Sequence, residues 1–194
     1  MAQTLISTQD VMDFGNLDND ALKPRIASLL ASVFAAAEQD CLRKFSSDTF
    51  TEYFDADGST SSYLVANPPM TALVSVTDDV QYSARSIDTS TNVLFYTEQK
   101  EEGLVQLYKN EGRFSGGVAG VRIIYTGGWT ATTMPAELKE AICQEVLFRL
   151  NVRAVGVKQE NADGAGTTYA TERGFAKEVA DTLLRYRAWW KGIG

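Results

Sequence analysis

The chain has 194 residues, of which 44% are apolar and 22% charged, with 18 basic side chains, 25 acidic side chains and no histidine. A chain of this length buries roughly 70% of its unfolded surface, so its core needs neither a metal nor a disulfide. The lack of histidine excludes Ser/His/Asp and Cys/His catalytic sites as well as histidine-ligated metals. Only carboxylate, lysine, tyrosine or cysteine chemistry remains open.

The acidic excess is concentrated in the first third of the chain. Residues 1–60 carry 10 acidic and 4 basic side chains, whereas residues 135–194 carry 8 acidic and 9 basic ones. Binding to nucleic-acid phosphates draws its strength from clustered lysine and arginine, so this distribution predicts a protein that does not hold DNA specifically.

Nothing in the sequence predicts a membrane partner. The first ten residues lack the basic and apolar regions of a signal peptide, and the longest apolar run, residues 26–37, is too short to cross a bilayer. We therefore expect a protein made in a reducing cytoplasm. Cys41 and Cys143 are expected to be buried thiols.

Helical spacing dominates residues 1–45. Ser7 and Asp10 resemble a capping box and predict a short first helix that ends at Gly15. A longer helix is predicted from Asp20 to Phe45, because apolar residues recur there at spacings of three and four. These residues are Leu22, Ile26, Leu29, Leu30, Val33, Ala37 and Cys41.

Between residues 46 and 126 the helical spacing gives way to β-rich runs separated by Gly, Asp, Asn and Ser. The runs around 49–54 and 63–66 flank Asp57-Gly58, a dipeptide typical of hairpin turns, and together predict a β-hairpin. Further strands are predicted at residues 73–77, 81–84, 93–96, 104–108 and 121–125. The middle of the chain is therefore predicted to be a β lobe.

Helical spacing returns in the last third. A helix is predicted from Pro135 to Ala154 and a final one from Phe175 to Trp190, with residues 158–171 forming an exposed polar arm between them. The predicted fold class is therefore α+β: a helical bundle of N-terminal and C-terminal helices with an inserted antiparallel β lobe. Its domains are residues 1–45 and 127–194, which form one helical domain, and the lobe at 46–126.

Three motifs suggest ligand binding, and each has a plainer interpretation. Residues 55–60, Asp-Ala-Asp-Gly-Ser-Thr, resemble the start of a calcium loop, but position 12 is Ala66 where the motif needs Glu. The glycines between 112 and 120 precede a strand and lack the Lys-Ser/Thr of a phosphate loop. Residues 126–129 could present Trp129 as an aromatic platform, but a strand-to-helix connection anchored by a buried Trp129 is favoured.

The chain end carries two adjacent tryptophans, Trp189 and Trp190, beside basic residues. Neighbouring residues on a helix point about 100° apart, so both indoles cannot share one small core. An outward tryptophan near arginine favours a partner contact, and ordinary packing at the chain end is an equal alternative.

Two successive segments resemble a known family. They are residues 121–129, Val-Arg-Ile-Ile-Tyr-Thr-Gly-Gly-Trp, and residues 134–142, Met-Pro-Ala-Glu-Leu-Lys-Glu-Ala-Ile. Both resemble the strand, short loop and Pro-led helix of the head-tail connector, or adaptor, proteins of long-tailed bacteriophages and gene transfer agents. Trp129 replaces the usual tyrosine. Supporting similarity lies in residues 50–55, 64–65, 68–76 and 183–187.

The resemblance implies a structural virion protein and no enzyme. It implies a homo-oligomeric ring of about a dozen copies at the head-tail interface, docked between the portal protein and the tail or stopper protein. Such a ring extends the channel through which DNA passes without specific binding. No catalytic residue, cofactor or metal is expected. The portal contact is predicted in the aromatic and basic C-terminal residues, namely Tyr186, Arg187, Trp189, Trp190 and Lys191.

A second hypothesis belongs to another class of function. A carbohydrate-binding or other accessory virion domain could use the β lobe, with Trp129 and the tyrosines as stacking surfaces.

Overall fold

The computed structural model describes residues 5–59, 62–78, 85–87, 93–99, 104–109, 113–114, 117–151, 159–162, 165–168, 171–172 and 174–188. These residues divide into two compact units. Of the described residues, the helical unit contains those of Thr4–Leu42 and Ala131–Arg187, and the β unit contains those of Arg43–Thr130 together with Ala188. The combination confirms the α+β fold class.

In the part of the chain that the structure describes, the helical unit contains four α-helices. They are α1 (Thr8–Phe14), α2 (Lys23–Cys41), α3 (Ala136–Asn151) and α4 (Lys177–Arg185), and a 3-10 turn at Asp20–Leu22 precedes α2. The predicted capping box is confirmed, because the Ser7 and Asp10 side chains each bond the other residue's backbone N–H at the start of α1. The second helix is shorter than predicted and ends at Cys41, since Leu42 adopts a left-handed conformation with φ of 56°.

The apolar stripes of these helices face one another. α3 packs against α2 and α4, and α1 packs against α2 and α3. Ile26, Leu30 and Val33 are among the α2 residues buried in this way. Cys41 and Cys143 are buried free thiols, as predicted, and burial raises the pKa of Cys143 to about 11. No helix of the described residues is both long and apolar enough to span a membrane.

The described strands of the β unit form two antiparallel sheets. The larger has the order β1 (Asp48–Ala56), β7 (Gly117–Gly127), β3 (Met70–Asp78), β4 (Arg85–Ile87), and the smaller has the order β2 (Ser62–Leu64), β6 (Leu104–Lys109), β5 (Val93–Gln99). The core uses the inward residues of the larger sheet together with Tyr63 of β2 and the loop residues Val65 and Phe114. Its members are Ala56, Tyr63, Val65, Met70, Val76, Phe114, Val121, Ile123 and Tyr125.

The predicted hairpin around Asp57-Gly58 is wrong in its pairing. Gly58 has the positive φ, +75°, that such a turn needs, but the strands on either side of it belong to different sheets. β1 pairs with β7 and β2 pairs with β6. A Gly turn sets where the chain reverses, whereas burial of apolar side chains decides which strands pair. The predicted strand at 81–84 lies outside the described residues.

The C-terminal part also departs from the prediction. The described parts of the 158–171 segment, predicted as an exposed arm without secondary-structure elements assigned to it, form a hairpin of β8 (Gln159–Ala162) and β9 (Ala165–Thr168). β10 (Thr171–Glu172) then pairs with β11 (Phe175–Ala176), so α4 begins at Lys177 and not at Phe175. It ends at Arg185, before the predicted end at Trp190. The domain boundaries drawn at 45/46 and 126/127 stay a prediction.

Candidate partner-binding site

The end of α4 leads into the residues predicted to bind the portal. Val179, Ala180 and Leu183 bury the inner side of this helix. After Arg185 the helix stops, and the Tyr186 N–H bonds the carbonyl of Leu183 in a final turn. The chain therefore leaves α4 at a fixed point of the helical unit.

Glu137 holds this exit point in place from the first turn of α3. The Tyr186 hydroxyl donates a hydrogen bond to one carboxylate oxygen of Glu137. Arg185 Nη1 donates to the other oxygen at 2.8 Å. One carboxylate therefore receives two donors from consecutive residues. This arrangement fixes the direction in which the following residues leave the helix.

Two of the five predicted partner-binding residues are described by the structure. Tyr186 is 3% exposed, so in this protein it is a buried anchor and offers no side chain to a partner. Arg187 is partly exposed directly after it. Trp189, Trp190 and Lys191 lie outside the described residues, so their role stays a prediction.

A second carboxylate anchors the start of α4. Glu145 of α3 is 1% exposed, and its Oε2 accepts the Ala176 N–H at 2.9 Å. Its Oε1 accepts Arg149 Nε at 2.8 Å, and Arg149 Nη2 donates to the Gly174 carbonyl at 3.1 Å. The buried charge is thus paired and hydrogen-bonded, as a buried carboxylate must be. It explains why residues 175–176 are extended and why the helix starts late.

The connection at residues 126–129 is a structural clamp. The Trp129 N–H donates to the Phe45 carbonyl at 2.7 Å, and the Ser47 N–H donates to the Trp129 carbonyl at 2.8 Å. The Trp129 ring is 3% exposed and stacks under the Arg43 guanidinium, 4.4 Å from the ring centroid. A buried indole cannot stack on a sugar. The prediction of a buried anchor is therefore confirmed. Trp129 is not available as the stacking surface that the carbohydrate-binding hypothesis requires.

A polar cluster holds the loop before β3 against β7. Tyr125 Oη donates to Glu52 Oε1 at 2.6 Å and accepts the Asn67 N–H at 3.0 Å. Glu52 also accepts the Ala66 N–H at 3.1 Å. Burial, followed by the nearby Glu52 charge, raises the pKa of Tyr125 far above its usual range. The phenol is therefore a permanent donor within the β unit.

Three carboxylates of the described residues have structural partners. No group of three or more His, Cys, Asp or Glu that could hold a metal ion occurs among the described residues. The carboxylates Glu52, Glu137 and Glu145 each hold a loop or a helix end. None of the three was predicted from the sequence to hold another segment, because the donors they meet, apart from Arg149 beside Glu145, lie 14 to 73 positions away.

Comparison with known proteins identifies the class. The sequence profile of the head completion protein family (HCP) matches residues 4–189, so the chain belongs to that family. A search among curated protein sequences gave no match. The family match confirms the predicted class, a structural virion protein of the head-tail adaptor type that acts at the head-tail interface.

Solved structures share the fold. A chain in the neck of an empty GTA particle computed with C6 symmetry is 16% identical, with a TM-score of 0.58 over 94% of this chain and 89% of that chain. A chain in the neck of a native GTA particle computed with C12 symmetry is 15% identical, with a TM-score of 0.56 over 96% and 93%. A chain from the virion of a native gene transfer agent particle is 16% identical, with a TM-score of 0.60 over 96% and 92%.

Proposed function

We propose that the protein forms a ring of about a dozen copies, docked between the portal protein and the tail or stopper protein, that extends the channel for DNA. The family match over residues 4–189 is the observation on which this proposal rests. The similar fold in a neck computed with C12 symmetry supports the copy number. In this role the protein has no catalytic activity and binds no cofactor.

The charge of the chain fits a channel component. A ring of a dozen copies, each with a net charge of −7, carries roughly −80 and repels DNA phosphates. DNA therefore passes without being held. The same charge opposes assembly of the ring, so a partner or local uncharged contacts must offset the repulsion between copies.

The C-terminal residues after α4 are the proposed portal contact. They belong to the most basic third of the chain and combine arginine, lysine and tryptophan, the residue types enriched in interface hot spots. Tyr186 contributes indirectly, because its bond to Glu137 fixes where the segment leaves α4. Arg187, Trp189, Trp190 and Lys191 follow that fixed point.

The test is the double substitution Arg187→Ala with Trp190→Ala in the full-length chain. Loss of a hot-spot anchor costs about 2 kcal/mol or more per subunit, and a ring multiplies that loss through avidity. We expect at least a tenfold drop (~1.4 kcal/mol) in tailed, infectious particles. Particle counts by electron microscopy and plaque or transfer titres measure it.

The matched control is Lys177→Ala, which removes a 60% exposed cation from the first turn of the same helix. It should leave the particle yield unchanged, and circular dichroism should show native helix content for both variants. Normal yields from the double variant would place the portal contact elsewhere, with the 158–171 arm as the next segment to substitute.

A further inference from the structure

The larger sheet has a side that takes no part in the β-unit core. Along β1, Phe50 and Phe54 pack against the core, so the alternate residues Thr49, Thr51 and Tyr53 point to the opposite side. Cross-strand pairing continues this side onto β7 and β3. We call it the outer face, and it consists of Thr49, Thr51, Tyr53, Asp55, Ala72, Ser75, Thr77, Arg122, Ile124 and Thr126, with Val74 at the irregularity between Leu73 and Ser75.

The outer face carries little net charge. Its charged members, Arg122 and Asp55, have opposite signs; Arg122 Nη2 donates to Thr77 Oγ1 at 3.1 Å, and Asp55 Oδ1 accepts the Ala119 N–H at 2.6 Å. Tyr53 and Val74 are each 55% exposed. The two charges cancel, so in a chain with a net charge of −7 this surface is close to neutral. Exposed tyrosine and arginine with little net charge around them are typical of the centre of a protein interface.

β1 also lies at the edge of its sheet. Among the described strands it pairs with β7 alone. An edge strand presents a row of backbone N–H and C=O groups to other chains, and proteins protect such edges with lysine, proline or short length. β1 has nine residues and contains neither lysine nor proline. A β-bulge between Phe54 and Ala56 and the exposed acids Asp48 and Asp55 lie at the two ends of the strand, so the stretch from Thr49 to Tyr53 is the part of the edge that lacks protection.

We propose that the outer face and the edge of β1 form the surface against which a second copy of this chain packs. The inference rests on the proposed function, because a ring places identical copies side by side. Each copy carries a net charge of −7, so two copies approach with least repulsion through a surface that has little charge. Contacts in a ring are heterologous, so the outer face of one copy meets a different patch of the next.

The experiment places the photo-crosslinking residue p-benzoylphenylalanine at Tyr53 in the full-length chain within assembled particles. Irradiation should produce a covalent dimer of twice the 21.2 kDa chain mass, with mass spectrometry showing this chain on both sides of the crosslink. The same residue at Ser59, exposed in the turn after β1, is the control, and its dimer yield should be about fivefold lower because crosslinking requires direct contact.

Three outcomes overturn the inference. They are crosslinks from Tyr53 to a different virion protein, no crosslink from Tyr53 in particles that contain the chain, and equal dimer yields at Tyr53 and Ser59. Particles that assemble normally without the chain would contradict the proposed function itself, so the two failures are distinguishable.

A pair of substitutions makes the test independent of the crosslinker. Thr51→Glu adds a negative charge to the outer face of every copy, whereas Thr51→Val keeps the side-chain shape. We expect Thr51→Glu to lower incorporation into particles about tenfold and Thr51→Val to leave it unchanged, with equal melting temperatures for the two purified proteins. Equal incorporation of both variants would overturn the inference.

Discussion

In the helical unit, ionised side chains join segments that are distant in sequence. In the β unit, most such segments are joined by hydrogen bonds between backbone groups. Asp10 of α1 meets Lys139 of α3, Glu137 meets Arg185, and Glu145 receives Arg149 together with the Ala176 N–H. In the β unit, the segment around Ser46 is joined to Trp129 by two backbone hydrogen bonds.

The difference follows from where each element uses its backbone groups. An α-helix satisfies its N–H and C=O groups internally, so only side chains can connect it to a neighbour. Strands and extended loops keep these groups available and can approach one another closely, provided that no Cβ atom intervenes. The stability of the β unit should therefore be sensitive to added atoms, and the stability of the helical unit should be sensitive to the loss of charged side chains. Three substitutions test this difference.

The largest effect is expected from Gly128→Ala. Gly128 has φ of +86°, and a Cβ there would lie 2.6 Å from the Ser46 carbonyl oxygen and 2.8 Å from that of Phe45. Backbone atoms cannot move aside without breaking the clamp, so we expect a loss of about 3 kcal/mol or more in the free energy of unfolding. Urea denaturation followed by tryptophan fluorescence measures it.

Gly58→Ala is the control for that clash. Gly58 also has a positive φ, +75°, but nothing lies within 4 Å of an added Cβ. The substitution of Gly58 should lower the free energy of unfolding by only about 1 kcal/mol, which is the cost of holding alanine at a positive φ. Equal losses for the two variants would show that backbone strain, and not close approach, sets the requirement at Gly128.

A smaller loss is expected from Glu145→Ala in the helical unit. The substitution leaves the Arg149 guanidinium and the Ala176 N–H without their acceptor in a site where Glu145 is 1% exposed. Loss of one partner of a buried pair costs about 3 kcal/mol when both charges are buried, and Arg149 is 27% exposed, so we expect about 2 kcal/mol. Thermal unfolding by circular dichroism measures it.

Glu178→Ala, an exposed acid in the first turn of α4, serves as the comparison and should change stability by less than about 0.5 kcal/mol. If Glu145→Ala were equally mild, the carboxylate would not be the anchor of α4.

The smallest loss of stability is expected from Asp10→Asn, and it depends on pH. Hydrogen bonds from Lys139 and then Ser7 lower the pKa of Asp10 to about 2. A lowered folded-state pKa adds stability that is fully present above the unfolded pKa, about 3.9, and is lost as the pH falls through about 2. Because the side chain is 33% exposed, we expect Asp10→Asn to cost about 1 kcal/mol at pH 7, less near pH 2, where the group is half protonated, and nothing well below that pH.

The matched variant for this pair is Lys139→Met. It removes the other half of the ion pair, so the double variant should be little less stable than either single one. Additive losses at pH 7 would mean that Asp10 and Lys139 act independently.

Local signals were predicted well and long-range partners were not. The Ser7–Asp10 capping box, the α2 stripe and the β-rich runs each depend on residues close in sequence, so their spacing was enough. The pairing of β1 with β7 depends on residues about 70 positions apart, and no local signal at Asp57-Gly58 contains that information. The outer face had a readable signal, the alternation of Thr49, Thr51 and Tyr53, but its role depends on a second molecule.

The C-terminal residues show the same limit. Tyr186 was predicted to contact the portal because aromatic and basic residues cluster there, whereas its hydroxyl is bonded to Glu137 and its ring is buried. Composition indicates that an aromatic residue is useful in an interface but not whether the interface lies within the chain or outside it. The predicted start of the last helix, at Phe175, was wrong for a related reason. Glu145 holds residue 176 in an extended conformation, so α4 begins at Lys177.

The clamp between Ser46 and Trp129 also bears on how the protein is synthesised. The ribosome completes the first two helices, then some ninety residues of the β unit, and only then α3, against which α2 packs. Closing a flexible loop of that length would cost roughly 4 kcal/mol of chain entropy. The first and last strands of the larger sheet pair with each other, and the clamp joins the ends just beyond them. A β unit that folds first on the ribosome therefore brings Leu42 and Ala131 close together and makes the insertion behave as a short connection.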